Sequence, residues 1–286
     1  MPAPHLLAVT AHPDDEVISL GGLMHLSARA GCRVTLVCAT RGEAGEIADP
    51  ALATPASLGA VREGELRASC ALLGVHDLRF LDYRDSGMAG TAANADPRAY
   101  CNAPADEAVV KLVRIIRETR PDVVVTWDPS GGYGHPDHMA ACRHATAAFD
   151  RAGQAVLPEA GEPYTPAALY YMARPRSLRD EVRAELAERG IVVPRSGMDR
   201  RDGLVSVPVT LTLDVTPAIA VKQAARAAHR TQGSPMARVH LLSPDLQRRY
   251  AGTEYFHRAR PALTAGERDD LLPALLGLSR VHQHIV

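Results

Sequence analysis

The sequence predicts an α/β fold, a mostly parallel sheet with helices on both faces, followed by a smaller C-terminal α/β lobe. Three observations point there. Through residues 1–152, short apolar runs suited to buried strands alternate with helical segments long enough to cross over a sheet. Two closely similar tetrapeptides, His12-Pro13-Asp14-Asp15 and His135-Pro136-Asp137-His138, sit at such strand-to-helix junctions. After about Arg151 the alternation changes, with Pro158, Pro163 and Pro166 marking a linker. The first part is therefore Rossmann-like, with its ligand crevice expected beyond the C-terminal strand ends. We read one domain, with residues 1–152 as the core and residues 153–286 as a smaller lobe completing the site.

Leu6–Ala11 is apolar enough for a buried strand, and the helical pattern that follows, Asp14 to Ala30, should stop at Gly31. Arg33–Thr40 reads as a second strand and leads into a polar, glycine-containing loop. Ser57–Leu73 reads as a helix, with Ser57 as its N-cap and Gly74 as its stop. Leu78–Tyr83 is the next strand, Ala105–Thr119 an amphipathic helix, and Asp122–Trp127 another buried strand. A helix runs from near His135 to about Arg151. Beyond the linker we expect a strand at Leu169–Ala173, a helix at Leu178–Arg189, a β-rich run at Val205–Val215 and a helix at Pro217–Arg230.

Composition narrows the function classes. The 286 residues are 46% hydrophobic and 23% charged, with a formal net charge of −1, so nothing favours nucleic acid or an acidic membrane surface as partner. Aromatic residues make up 4%, with Trp127 the sole tryptophan, which disfavours a base-stacking platform. No stretch reaches the roughly 20 apolar residues that span a bilayer. The N-terminus enters a strand almost at once, without the basic and apolar segments of a secretory signal. Cys32, Cys38, Cys70, Cys101 and Cys142 are odd in number and lack a CxxC pair, so they read as reduced core residues. We expect a cytoplasmic protein. Its oligomeric state is not encoded in these features.

The two tetrapeptides carry the chemistry. Proline in second place fits the first turn of a helix, and positions one and four can converge on one point. His12, Asp15, His135 and His138 are thus candidate metal ligands, and two histidines with one carboxylate and an open position make a catalytic zinc site. Helix N-termini repel a cation, and Asp14, Asp15 and Glu16 supply the opposing charge. Either motif alone is compatible with a polar cap or a surface turn. Two at equivalent junctions are not explained by capping. Cys142 and His144 lie near His138 on the same helix and read as packing residues.

AHPDDE near the N-terminus and GGYGHPDH in mid-chain resemble the LmbE-like, or PIG-L, family of zinc-dependent N-deacetylases. RDSGMAGT at Arg84–Thr91 and HRTQ at His229–Gln232 match in order, so the resemblance spans most of the chain. It is closest to the branch that deacetylates N-acetylglucosaminyl-inositol in mycothiol biosynthesis; a sister branch acts on N-acetylglucosaminyl-malate for bacillithiol. The resemblance implies one Zn2+ per chain on His12, Asp15 and His138, with Fe2+ or another divalent ion as alternatives. It implies Asp14 as general base, and His135 as the residue that stabilises or protonates. It also implies Tyr133 as a mobile support for the oxyanion, and Arg62 and Asp85 as sugar-holding residues. The implied partner is a small N-acetylglucosamine conjugate.

The chemistry of the residues agrees. Amide hydrolysis needs an activated water and a stabilised oxyanion. Asp14 and Asp15 leave the turn in different directions, so Asp14 is free to take the water proton. Tyr133, flanked by Gly132 and Gly134, suits a residue that moves to meet substrate. Asp137 is placed to hold a histidine in the required tautomer. Three rivals fit less well. A nucleotide-binding Rossmann protein would need a glycine-rich first turn rather than HPDDE. A serine hydrolase would need GxSxG, which is missing. A non-catalytic interaction domain leaves two complete metal motifs unexplained. Within the family, thiol S-conjugate amidases carry a lysine seven residues after the first histidine, where this chain has Ser19.

Overall fold

Strands β1 (His5–Thr10), β2 (Arg33–Thr40), β3 (Asp77–Tyr83) and β4 (Val123–Trp127) alternate with helices α1 (Asp15–Arg29), α2 (Leu58–Leu73) and α3 (Ala105–Thr119). The computed structural model describes residues 2–191, 207–233 and 239–278. After β4 come a short kinked turn, α4 (Gly131–Gly134), and the long helix α5 (Pro136–Ala152). The chain continues through β5 (Ala168–Met172), α6 (Arg176–Glu188), β6 (Leu211–Asp214), α7 (Ile219–Ala228), α8 (Pro244–Ala251), β7 (Thr253–Arg260) and α9 (Leu271–Leu275).

One seven-stranded sheet runs through the molecule in the order β3-β2-β1-β4-β5-β7-β6. The five strands β1 to β5 are parallel, while β7 pairs antiparallel with both β5 and β6. Every residue of β1 and β4 is buried, as expected of central parallel strands covered on both faces. Burying each Val or Leu side chain contributes about 1.5–3 kcal/mol. Strand order reverses direction between β1 and β4, the switch point at which a doubly wound sheet opens a crevice. Both HPD motifs follow those two strands.

The C-terminal half adds β5, β6 and β7 to this same sheet and gathers its own small apolar cluster from Leu178 and Leu186 of α6 and Leu246 and Tyr250 of α8. The linker after α5 is ordered around one side chain. Arg117 of α3 donates to the carbonyls of Ala152, Gln154, Val156, Leu157 and Gly161. Another buried cation ties the two halves together. Lys222 of α7 pairs with Glu254 of β7 at 2.7 Å, and the Glu254 carboxylate also accepts the N–H groups of Gly22 and Leu23 in α1. Removing one partner of so buried a pair typically costs about 3–5 kcal/mol.

Most boundaries agree with expectation to within a residue or two, and three differences are informative. Ser57 precedes α2 but makes no side-chain cap; its hydroxyl pairs with Thr54 because Ser57 already has helical backbone angles. The expected β-rich run at Val205–Val215 is a strand only over Leu211–Asp214, and residues 192–206 lie outside the described residues. Strand β7 was not expected at all. Among the described residues no helix is long and apolar enough to cross a membrane, and all five cysteines are free, four buried and Cys101 half-buried.

Candidate metal centre and active site

The turn after β1 is closed by Asp15. Its Oδ2 accepts the N–H groups of Ala11 and His12 at 3.0 and 2.9 Å and lies 3.4 Å from the Trp127 indole nitrogen. Its Oδ1 faces His138 Nε2 at 3.3 Å. Burial opposes ionisation of Asp15, yet the neighbouring His138 and His12 outweigh it and hold the carboxyl below its ordinary range. Closing the turn this way places Asp14 in the left-handed region at φ 106°. A residue with a Cβ pays roughly 1–2 kcal/mol for that conformation.

The turn after β4 is built differently. Gly132 has φ 67°, and a Cβ there would lie 2.7 Å from the Trp127 ring, so the position needs glycine on both counts. The His135 ring caps α5, its Nδ1 accepting the Asp137 N–H at 3.2 Å. Its remaining proton therefore sits on Nε2. Burial, and then the neighbouring His12 and His138 rings, depress the His135 pKa to about 2, which keeps the ring neutral. His138 stacks on Trp127 with ring centroids 3.9 Å apart, and its Nδ1 lies 3.1 Å from the Gly131 carbonyl. A proton on Nδ1 donates there and leaves Nε2 as a lone pair.

His12 is fixed from outside in the same manner. Its Nε2 lies 3.2 Å from Asp137 Oδ2 and 3.3 Å from Asp85 Oδ1. Asp137 is fully buried and also accepts the N–H groups of Ser86 and Cys101, both at 2.8 Å. The carboxylates thus hold a proton on His12 Nε2, which turns the Nδ1 lone pair inward. Burial alone would discharge His12, but Asp85, Asp137 and Asp15 together raise its pKa well above the ordinary value, so a metal ion bound at Nδ1 would take the place of a second ring proton.

The inward atoms form a donor set for a cation. His12 Nδ1 and His138 Nε2 are 3.2 Å apart, with Asp15 Oδ1 3.3 Å from the latter and Oδ2 3.9 Å from the former. Ligands around a tetrahedral ion bound at 2.0–2.2 Å lie roughly 3.3–3.6 Å apart. Two imidazole nitrogens and the Asp15 carboxylate converge at this spacing, and a cation in place of the proton between them would match all three, so the residues fit a divalent metal. His135 is also near enough to His12 and His138 to form a third nitrogen ligand, but its Nδ1 is engaged as a cap.

The other singled-out residues border this point. The Asp14 side chain is 23% exposed, against 8% or less for His12, Asp15 and His138. Burial and the adjacent Asp15 charge raise the Asp14 pKa, against Arg62 and Arg226. Tyr133 lies edge-on to His138 and His135 at 5.0 and 6.0 Å between ring centroids, and burial pushes its phenol pKa up. Arg62 is buried and donates to the carbonyls of Gly42 and Pro13 and to Gln232, with Asp14 at 3.9 Å. A Cβ at Gly42 would lie 2.4 Å from the Arg62 guanidinium. Asp85 accepts from Gly87 and Ala44 as well as contacting His12. Cys142 and His144 are buried in the body of α5.

Glu16 was expected to add charge at the metal. It instead turns away, pairing with His229 at 2.7 Å and Ser69 at 2.6 Å, because an unpaired carboxylate at full burial is costlier than one matched by an imidazole. Sequence reasoning also missed Arg226, whose Nη1 lies 3.4 Å from Asp14 Oδ2. HRTQ was a signal for His229 and Gln232, but nothing local marks Arg226.

Comparison with known proteins follows the same lines. The family model "PIG-L: GlcNAc-PI de-N-acetylase" matches residues 7–149. A 1D-myo-inositol 2-acetamido-2-deoxy-alpha-D-glucopyranoside deacetylase of Geodermatophilus obscurus is 42% identical, over 96% of this chain and 99% of its own. A protein of the same name from Streptomyces scabiei is also 42% identical, over 96% of this chain and 90% of its own. Among solved structures, the N,N'-diacetylchitobiose deacetylase of Pyrococcus horikoshii superposes with a TM-score of 0.63 at 23% identity, covering 90% of this chain and 84% of that one. The 4-carboxy-2-hydroxymuconate hydratase of Pseudomonas putida shares the fold at a TM-score of 0.56 and 20% identity, covering 92% of this chain and 99% of that one. The fold alone therefore does not fix the reaction. The sequence match does fix the lineage, and the chain belongs to the PIG-L family of de-N-acetylases.

Proposed function

We propose that the protein hydrolyses the acetamide of an N-acetylglucosamine conjugate, with 1D-myo-inositol 2-acetamido-2-deoxy-α-D-glucopyranoside as its substrate in mycothiol biosynthesis. The observation that carries the reaction is the inward pair of imidazole nitrogens, 3.2 Å apart, beside the Asp15 carboxylate. The names of the relatives at 42% identity support the substrate.

His12, Asp15 and His138 would hold the ion, with zinc, one per chain, as the favoured metal. A divalent ion there supplies Lewis acidity, which polarises the amide carbonyl and acidifies water. Asp14, the most exposed carboxylate of the turn, accepts the water proton. Neutral His135 offers its Nε2 proton to the oxyanion or to the leaving amine. The Tyr133 phenol, kept protonated by burial, donates to the oxyanion from the other side. Asp137 keeps His12 in the ligating tautomer. Arg62 and Asp85 hold sugar hydroxyls while bracing the loops around them.

Purified enzyme should be compared on the N-acetylglucosaminyl conjugates of inositol and malate and on free N-acetylglucosamine. The highest kcat/KM is expected for the inositol conjugate. A preference for the malate conjugate would move the enzyme to the bacillithiol branch while leaving the hydrolytic reading intact.

A further inference from the structure

The turn that carries Asp14 is held by a segment more than two hundred positions away in sequence, Arg226 to Gln232. A non-glycine residue at φ 106° persists only where its surroundings over-determine it, and here that segment adds its contacts to the closure made by Asp15. Arg226 Nη1 donates to Asp14 Oδ2 at 3.4 Å. Its Nη2 donates to the carbonyls of Gln232 and Gly233 at 3.3 and 3.0 Å, which fixes the plane of the guanidinium. The Gln232 side chain donates to the Pro13 carbonyl at 3.0 Å and accepts from Arg62. Behind the turn, His229 grips Glu16 at 2.7 Å, and the other Glu16 oxygen accepts the Asp14 N–H at 2.8 Å.

We propose that Arg226 is a positioning residue for the hydrolysis, holding the Asp14 carboxylate in its partly exposed position through a fixed guanidinium fork. The proposal rests on the reading of Asp14 as proton acceptor. Arg226 is nearly buried at 6% exposure, so it acts through Asp14 rather than as a general attractant for substrate. Lysine, with one point-like ammonium, cannot bond Asp14 and both carbonyls in the same plane.

The test uses zinc-loaded full-length protein and the inositol conjugate, measuring metal content, thermal midpoint, kcat and KM for Arg226→Gln, Arg226→Lys, Asp14→Ala and the Arg226→Gln/Asp14→Ala pair. Arg226→Gln should keep its metal and lose about 10- to 100-fold in kcat, as expected for a misplaced catalytic group, with KM changed by less than about threefold. Arg226→Lys should fall between, about 3- to 10-fold below wild type. In the Asp14→Ala background the Arg226 substitution should cost nothing further, because the group it positions is gone. An unchanged kcat in Arg226→Gln, beside an inactive Asp14→Ala, overturns the inference and leaves the Asp14 reading standing. A loss equally deep in both backgrounds overturns it too, placing the effect elsewhere. An active Asp14→Ala protein overturns the Asp14 reading itself. Should Arg226→Gln not fold, full kcat in Arg226→Lys overturns the proposal, and the intermediate value supports it.

Discussion

His-Pro-Asp occurs at the end of β1 and again before α5, on either side of the sheet's switch point, and the two copies put the same side chains to different uses. In the first, His12 presents Nδ1 inward, and Asp14 stands partly exposed at a left-handed φ. In the second, His135 spends Nδ1 on capping its helix, and Asp137 is fully buried against His12 and two backbone N–H groups. The fourth residue accounts for the difference. Asp15 is a carboxylate that reaches back to the Ala11 and His12 N–H groups, which closes the turn and twists Asp14 out. His138 cannot accept two backbone N–H bonds, so the second turn starts as an ordinary proline-led helix whose first N–H is capped by His135. A motif repeated in sequence is therefore not a role repeated in structure.

Four measurements would break or sharpen this contrast. The fourth residues are the point of convergence, so Asp15→Ala or His138→Ala should lose metal and activity together, down to background. A metal-replete, active His138→Ala protein would mean that the two turns do not share an ion. Next come the paired aspartates. Asp14→Asn should retain its metal while kcat falls by about 10²- to 10⁴-fold, the range of a lost general base, and added zinc should not restore it. Asp137→Asn should act through the metal, weakening its binding by about 10- to 100-fold, with activity largely recovered in excess zinc. If the zinc response were reversed between them, the assigned roles would have to be exchanged.

The smallest effect concerns His144, three helical positions past Ala141 on the α5 that carries His138, and without any share in the site. Burial lowers its pKa to about 4, so the folded state takes up this proton later than the unfolded chain does. The unfolded state then binds more protons between about pH 6.5 and 4, and stability falls as pH drops through that window. His144→Gln should flatten this acid limb in thermal-midpoint measurements while leaving metal content and kcat/KM at wild-type values. A loss of metal in that variant would draw His144 into the centre.

Much of this arrangement was legible in the sequence because its causes are local. β1 and β4 are buried on both faces, so their apolar runs announce them directly. The HPD tetrapeptides lie at strand ends, and their spacing alone marks a convergence of nitrogen and carboxylate donors. β7 was invisible for the opposite reason. Its buried positions include Glu254 and Arg258, which break the expected alternation and become tolerable only beside Lys222 and Asp269.

The sequence by itself determined the α/β class, the placement of two polar turns on one rim, and the residue types from which a hydrolytic metal site is made. The tertiary structure decided which nitrogen of each histidine points inward, through Asp85 and Asp137 at His12 and Gly131 at His138. It also decided that Glu16 leaves the site for His229 and that Arg226 reaches Asp14. Apart from the local bond of His138 to Gly131, those outcomes depend on bonds between residues more than seventy positions apart, 125 for His12 and Asp137. Spacing and periodicity report only what neighbouring residues can do, whereas tautomer, charge pairing and backbone strain are set by whatever the fold brings alongside.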